Sequence, residues 1–172
     1  MHVLAPVNRR ARHAAAGFRL RHAANIIAKC GPEIRECAAY AQWFQRQYPV
    51  EWRSTTHVPN ERKGMLDKII LAELGTKSGA SDYVICVPRG RYSGLWIEAK
   101  RTGATWADVS PEQRLWLSLM GDAGFFPSIG YGIDHLREIT RLYLSAGHNA
   151  ALAAHHYGAR ISAKRQRKEA AA

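Results

Sequence analysis

Apolar positions along the chain fall into runs with two different periods. After Gly31-Pro32, which suit a helix start, apolar residues recur at Ile34, Cys37, Ala38, Ala41, Phe44 and Tyr48. This spacing predicts a first helix that stops at Pro49. Trp52 to Val58 is rich in β-branched residues and predicts a strand. Pro59-Asn60 predicts a turn, with Asn60 placed to cap the next helix. Met65, Leu66, Ile69, Ile70, Ala72 and Leu74 predict that helix, ended at Gly75.

A Gly/Ser loop, residues 75–81, leads to Tyr83–Val87, a short apolar strand. Pro88–Gly94 reads as a hairpin connection and Leu95–Lys100 as the returning strand. Ser110-Pro111-Glu112-Gln113 has Ser at the cap, Pro at the first helical position and Gln at the third, a strong helix start. That helix runs through Leu115, Trp116, Leu119 and Met120 to Gly124. Phe125–Ile129 predicts a last strand, which Pro127 confines to an edge or a bulge. Ile133 to Leu144 predicts a final helix. The order α-β-α-β-β-α-β-α, without internal repeats, predicts an α/β fold: a small mixed central sheet flanked by helices.

Charge divides the chain differently. The 172 residues carry a formal net charge of +11. Residues 1–30 hold six basic groups and no acid; residues 160–172 hold five basic groups and one acid. Residues 31–159 keep 14 basic and 13 acidic groups, so the core is nearly neutral. The division expected is a basic N-terminal arm (1–30), a folded domain (31–145) and a basic tail (146–172). Such arms suit a nucleic-acid partner, where neutralised phosphates release counterions. No apolar run approaches the roughly 20 residues of a membrane span. Three cysteines without a C-x-x-C pair argue against a disulfide framework and favour a reducing, cytoplasmic compartment. The Arg- and Ala-rich, acid-free start also has something of a transit peptide, so organelle targeting stays open.

The candidate chemistry lies on the hairpin. Side chains alternate along a strand, so Glu98 and Lys100 share a face while Ala99 points away with Leu95 and Ile97. Asp82, at the start of the partner strand, reaches that face. Two carboxylates and an ammonium at one spot suit Mg²⁺ or Mn²⁺ and phosphate chemistry. From spacing alone the commoner reading is an ordinary Glu98–Lys100 surface pair, with Asp82 capping a turn. Gly75 and Gly79 would let the backbone approach a ligand closely. Lys77, Arg89, Arg91 and Arg101 are candidate phosphate contacts, and Trp106, in the polar loop 101–110, is expected to face substrate.

Taken together, Gly75-x3-Gly79-Ala-Ser-Asp82, Ile97-Glu98-Ala99-Lys100 and Ser110-Pro111-Glu112-Gln113 with Trp116 resemble the virus-type replication-repair nuclease domain (VRR-NUC) of the PD-(D/E)XK superfamily. His57-Val58-Pro59-Asn60 and Gly124 fit the same pattern, and the resemblance spans about residues 33–144. It implies that Asp82, Glu98 and the backbone carbonyl of Ala99 hold a catalytic Mg²⁺ or Mn²⁺, and that Lys100 positions the attacking water. It implies that Gln113 supports the lysine or the scissile phosphate, although Ser110-x-x-Gln113 is also a complete capping box. A glutamate of the first helix would complete the acidic set: Glu36 by its distance along the helix, with Glu33 as rival. The helical wheel leaves Glu33 beside the apolar stripe and Glu36 on the Tyr40–Trp43–Gln47 face. The function implied is a metal-dependent DNA endonuclease cutting four-way junctions or flaps in replication, repair or recombination, acting as a homodimer. A non-catalytic nucleic-acid binder on the same fold and a sequence-reading restriction-type enzyme are the alternatives.

Overall fold

A computed structural model describes residues 23–58 and 65–146. The expected turn at Pro59-Asn60, the tail from residue 147 and the first 22 residues of the basic arm lie outside the described residues. The last part of that arm, residues 23–28, is helical.

The elements follow the predicted order. They are α1 (Pro32–Gln47), β1 (Thr55–His57), α2 (Met65–Glu73), β2 (Tyr83–Ile85), β3 (Leu95–Lys100), α3 (Pro111–Asp122), β4 (Phe126–Tyr131) and α4 (Gly132–Ser145). The four strands form one sheet in the order β1-β2-β3-β4. β1 and β2, and β2 and β3, pair antiparallel; β3 and β4 pair parallel, from Leu95↔Phe126 to Lys100↔Tyr131. The fold is therefore the expected α/β arrangement of a mixed sheet between helices. Pro127 sits on the outer strand β4, where a missing N–H breaks no ladder.

Alternation along β3 gives the sheet two unlike faces. Leu95, Ile97 and Ala99 lie with Tyr83, Ile85 and Phe126 under α1 and α4, where Tyr40, Phe44, Leu136, Ile139 and Tyr143 are buried. The opposite face carries Trp96, Glu98 and Lys100 toward α3, beside a smaller cluster of Val109, Leu117 and Ile129. The two helices of the first layer are tied by a buried hydrogen bond of 2.6 Å between the Tyr40 and Thr140 hydroxyls. No described helix is long and apolar enough to cross a membrane.

Several expectations are corrected. Glu51–Ser54 is a 3₁₀ turn, so the strand begins only at Thr55. The hydroxyls of Ser54 and Thr55 both donate to the Glu51 carbonyl, which curls this stretch. In α1, Phe44 of the expected stripe is fully buried and Cys37 and Tyr48 pack on the core, but Tyr40 and Trp43, outside that stripe, are buried as well because α4 covers their side. In α2, Ile69 and Ile70, and Leu74 just beyond it, are exposed although their spacing resembled a core stripe.

Phe44 is fully buried and its ring meets those of Tyr40, Trp43, Tyr48 and Trp52. Phe44→Ala is expected to cost about 3–5 kcal/mol of unfolding free energy, whereas the half-exposed Leu142→Ala should stay near 0.5 kcal/mol. Urea midpoints measure both. Equal losses would mean that the core is misplaced.

Candidate active site

The loop from Gly75 to Ser81 delivers Asp82 to the head of β2. Continuing the pairing Tyr83↔Ile97 by one residue sets Asp82 across from Glu98. Directly opposed residues share a face, so the two carboxylates converge. The backbone N–H of Ala99 donates to Asp82 Oδ2 at 2.7 Å, and the N–H of Val58 donates to the Asp82 carbonyl at 2.8 Å. Asp82 is thereby fixed between β1 and β3.

Glu98 is only 1% exposed. Its Oε1 accepts hydrogen bonds from the Gln113 side-chain amide and lies 3.2 Å from Lys100 Nζ. Its Oε2 is buried with no hydrogen-bond partner. Lys100 Nζ also donates to Gln113 Oε1 at 3.0 Å. The same Oε1 accepts the Ser110 N–H at 2.9 Å, while the Gln113 N–H donates to Ser110 Oγ at 3.2 Å. Gln113 thus closes the capping box and also bridges the acid and the lysine.

Burial pushes Glu98 up to about 8; the negative charge of Asp82 pushes the same way, against the pull of the Lys100 ammonium. Burial also raises Asp82, against the lowering effects of the Ala99 N–H and of His57. Glu33 raises both carboxylates. Only with both acids ionised do two carboxylates face one ammonium, an excess of negative charge that a cation would offset.

Glu36, the expected helical acid, is tied to the loop after β3. Its carboxylate is held by Thr102, through the N–H at 3.0 Å and the hydroxyl at 2.6 Å. Glu33 is the acid of α1 whose charge reaches the pair. It lies one turn before Cys37, whose carbonyl accepts the Tyr83 hydroxyl at 3.1 Å, so this stripe of α1 faces the head of β2. Among the described residues no group of three His, Cys, Asp or Glu side chains is placed to hold a metal ion.

The basic residues separate by position. Arg101 is exposed just after Lys100, and Lys77 is exposed in the loop before Asp82. Arg89 and Arg91 belong to the hairpin connection at the other end of β3, roughly 17 Å away. Arg89 is built into the fold: Nε donates to the Leu144 carbonyl at 3.0 Å, and Nη2 lies 3.5 Å from Glu51. Arg91 lies over the Tyr92 ring. Trp106 packs on the Val109 cluster, with the Arg114 guanidinium 4.5 Å from its ring centroid. Trp106, expected to face substrate, is thus half-buried against this cluster, and Arg89 and Arg91, candidate phosphate contacts, stand at the far end of β3 from the carboxylates. His57, set aside in the sequence, lies against Tyr83 with ring centroids 4.9 Å apart, near enough for its charge to lower Asp82.

Gly79 has a different role from the one expected. Its φ is +78°, and a Cβ there would lie 2.6 Å from the Glu112 carbonyl oxygen and 2.7 Å from the Gln113 nitrogen. The bare backbone presses on the first turn of α3, not on a ligand. Gly75, with φ +87° and open space around it, ends α2.

No protein-family model matches the chain, and a search of curated proteins finds no match. Among solved structures the chain is similar to one described as a VRR_NUC domain protein. The TM-score is 0.59 with 24% sequence identity, over 69% of this chain and 93% of that one. The likeness to the VRR-NUC domain holds at the level of the fold.

Two outcomes are expected. In chelator-treated buffer, the folded chain should hold a proton on Glu98 up to about pH 8, whereas the ordinary value is 4.5. The folded state thus binds more protons in that window, and stability falls as pH rises through it. Wild type should therefore lose thermal stability from pH 4.5 to 8 relative to Glu98→Gln; parallel melting profiles would remove this assignment. Gly79→Ala should cost about 1–3 kcal/mol in a denaturant titration, and an unchanged midpoint would refute the packing against α3.

Proposed function

We propose that this chain is a divalent-metal-dependent endonuclease that hydrolyses DNA phosphodiester bonds, choosing branched DNA such as four-way junctions or flaps during replication, repair or recombination. One observation carries this reading: a buried carboxylate with one oxygen bonded to Gln113 and Lys100 and the other left bare beside Asp82. A surface ion pair would not be buried, and a structural one would not leave an oxygen without a donor.

The donor set fits Mg²⁺ or Mn²⁺, which bind through one or two carboxylates and complete their shell with water and phosphate. Asp82 and Glu98 would hold the ion. The Ala99 carbonyl is the third candidate. In a strand the N–H and C=O of one residue face the same neighbour, and the Ala99 N–H already faces Asp82. When bound, such an ion polarises a phosphoryl oxygen and lowers the pKa of a bound water.

The chain's own groups do the rest. Lys100, held by Glu98 and Gln113, keeps its ammonium at a fixed point above the sheet. There it orients the attacking water and offsets charge on the phosphoryl oxygens as the new P–O bond forms and the opposite one breaks. Gln113 prevents the lysine from swinging away. Arg101 and Lys77 flank the site and suit the neighbouring phosphates. Glu33 adds to the negative field from α1. Symmetric incision of a junction needs two such sites, so the working form is proposed to be a homodimer.

The test is a panel of labelled junction, flap, single-strand and duplex DNA with Mg²⁺ or Mn²⁺. Wild type is expected to cut the branched substrates, and Asp82→Ala to cut none. Lys100→Ala should lower kcat about 10²–10³-fold with DNA affinity little changed. Intact junctions and flaps under both metals would sink the proposal.

A further inference from the structure

Two arginines stand outside everything assigned so far. Arg137 and Arg141 are one turn apart on α4, and both guanidinium groups lie over the ring of Trp43 on α1, 5.7 and 5.1 Å from its centroid. The tryptophan is only 8% exposed, so it acts as a floor beneath the two cations. A guanidinium stacked on an indole keeps its plane and its fork of N–H donors in a fixed attitude. Arg141 is exposed and makes no ion pair among the described residues. Arg137 shares Nη1 with Asp134 at 3.1 Å, but that carboxylate is almost wholly exposed and easily exchanged. Arg46, exposed and three residues beyond Trp43, adds a third cation on α1.

The place of this cluster decides its use. Trp43 lies ten residues along α1 from Glu33, and Arg141 nine residues along α4 from Gly132, so each is about 15 Å from the carboxylate end by helical rise. The cluster is also on the helical layer opposite α3, away from the Lys100–Gln113 side. It cannot touch the scissile phosphate. Side chains four apart on a helix stand about 5–6 Å apart, close to the step between successive phosphates of one strand.

We propose that the Arg137–Arg141 ridge over Trp43 is a second nucleic-acid contact, gripping the sugar–phosphate backbone of a DNA segment some four base-pair steps from the scissile bond. Its donors are planar forks in a row, which match phosphate oxygens, and it gives the folded core a DNA grip independent of the basic arms. The proposal rests on the reading of the chain as a DNA-acting protein, but not on catalysis.

The test measures binding of fluorescent duplex and four-way-junction DNA by the full chain in EDTA, across a salt series, with no turnover. Arg137→Gln/Arg141→Gln should raise Kd several-fold and shorten the slope of log K against log salt by about 2, one for each phosphate no longer neutralised. Arg141→Gln alone, at an exposed side chain, should shorten it by about 1 even if the double variant folds poorly. Arg53→Gln removes an exposed arginine of the 3₁₀ turn before β1 and should leave the slope unchanged. An unchanged slope in both ridge variants, an equal loss in Arg53→Gln, or equally tight binding of polyglutamate would overturn the proposal. If no form cleaves DNA while the slopes change as stated, the nuclease reading fails and this one stands.

Discussion

The arrangement of the site turns on a single constraint: a carboxylate buried at Glu98 must be held by donors, because an isolated charge there is costly. Gln113 and Lys100 meet that demand from opposite directions. Gln113 reaches the acid only because Ser110 fixes the first turn of α3 at the right height over β3. Gly79 then presses the preceding loop against that same turn, and Asp82 follows three residues later. The helix cap, the acid pair and the loop are thus one assembly, and a disturbance at any of them reaches the others.

The sheet keeps stability and chemistry on opposite sides. Strand alternation sends Leu95, Ile97 and Ala99 into the aromatic core under α1 and α4, and Trp96, Glu98 and Lys100 toward α3. The apolar side carries most of the burial, and it is completed by polar contacts such as that between Tyr40 and Thr140. The polar side can therefore accept an uncompensated oxygen and raised carboxylates, since the core does not depend on them.

Most of this was legible in the chain. The period-2 run Leu95–Lys100 announced the shared face of Glu98 and Lys100, and Ser110-Pro111-x-Gln113 announced the start of α3. What escaped was tertiary. No local pattern says that Thr102 captures Glu36, leaving Glu33 to face the acids, because that hydrogen bond spans 66 residues. Nor does the loop 101–110 show that Arg114, on the next helix, stacks on Trp106. The Tyr40–Trp43 side of α1 is buried only because α4, about a hundred residues later, lies on it. The exposed apolar residues Ile69, Ile70 and Leu74 show the reverse: helical spacing without a layer to receive it.

Three helices begin at the end of the sheet where the carboxylates stand. α1 starts with Glu33 in its first turn, α3 with Gln113, and α4 at Gly132, directly after the partner of Lys100. Each start carries a macrodipole end worth roughly half a positive charge, although in α3 the Gln113 N–H is already taken by Ser110. These partial charges fade within a turn, so α3, nearest Glu98, contributes most. They cannot be titrated or removed by a side-chain substitution, although salt screens them. An anion arriving at this end of the molecule is drawn by the backbone itself, so the site keeps part of its electrostatic pull even where Lys100 is lost.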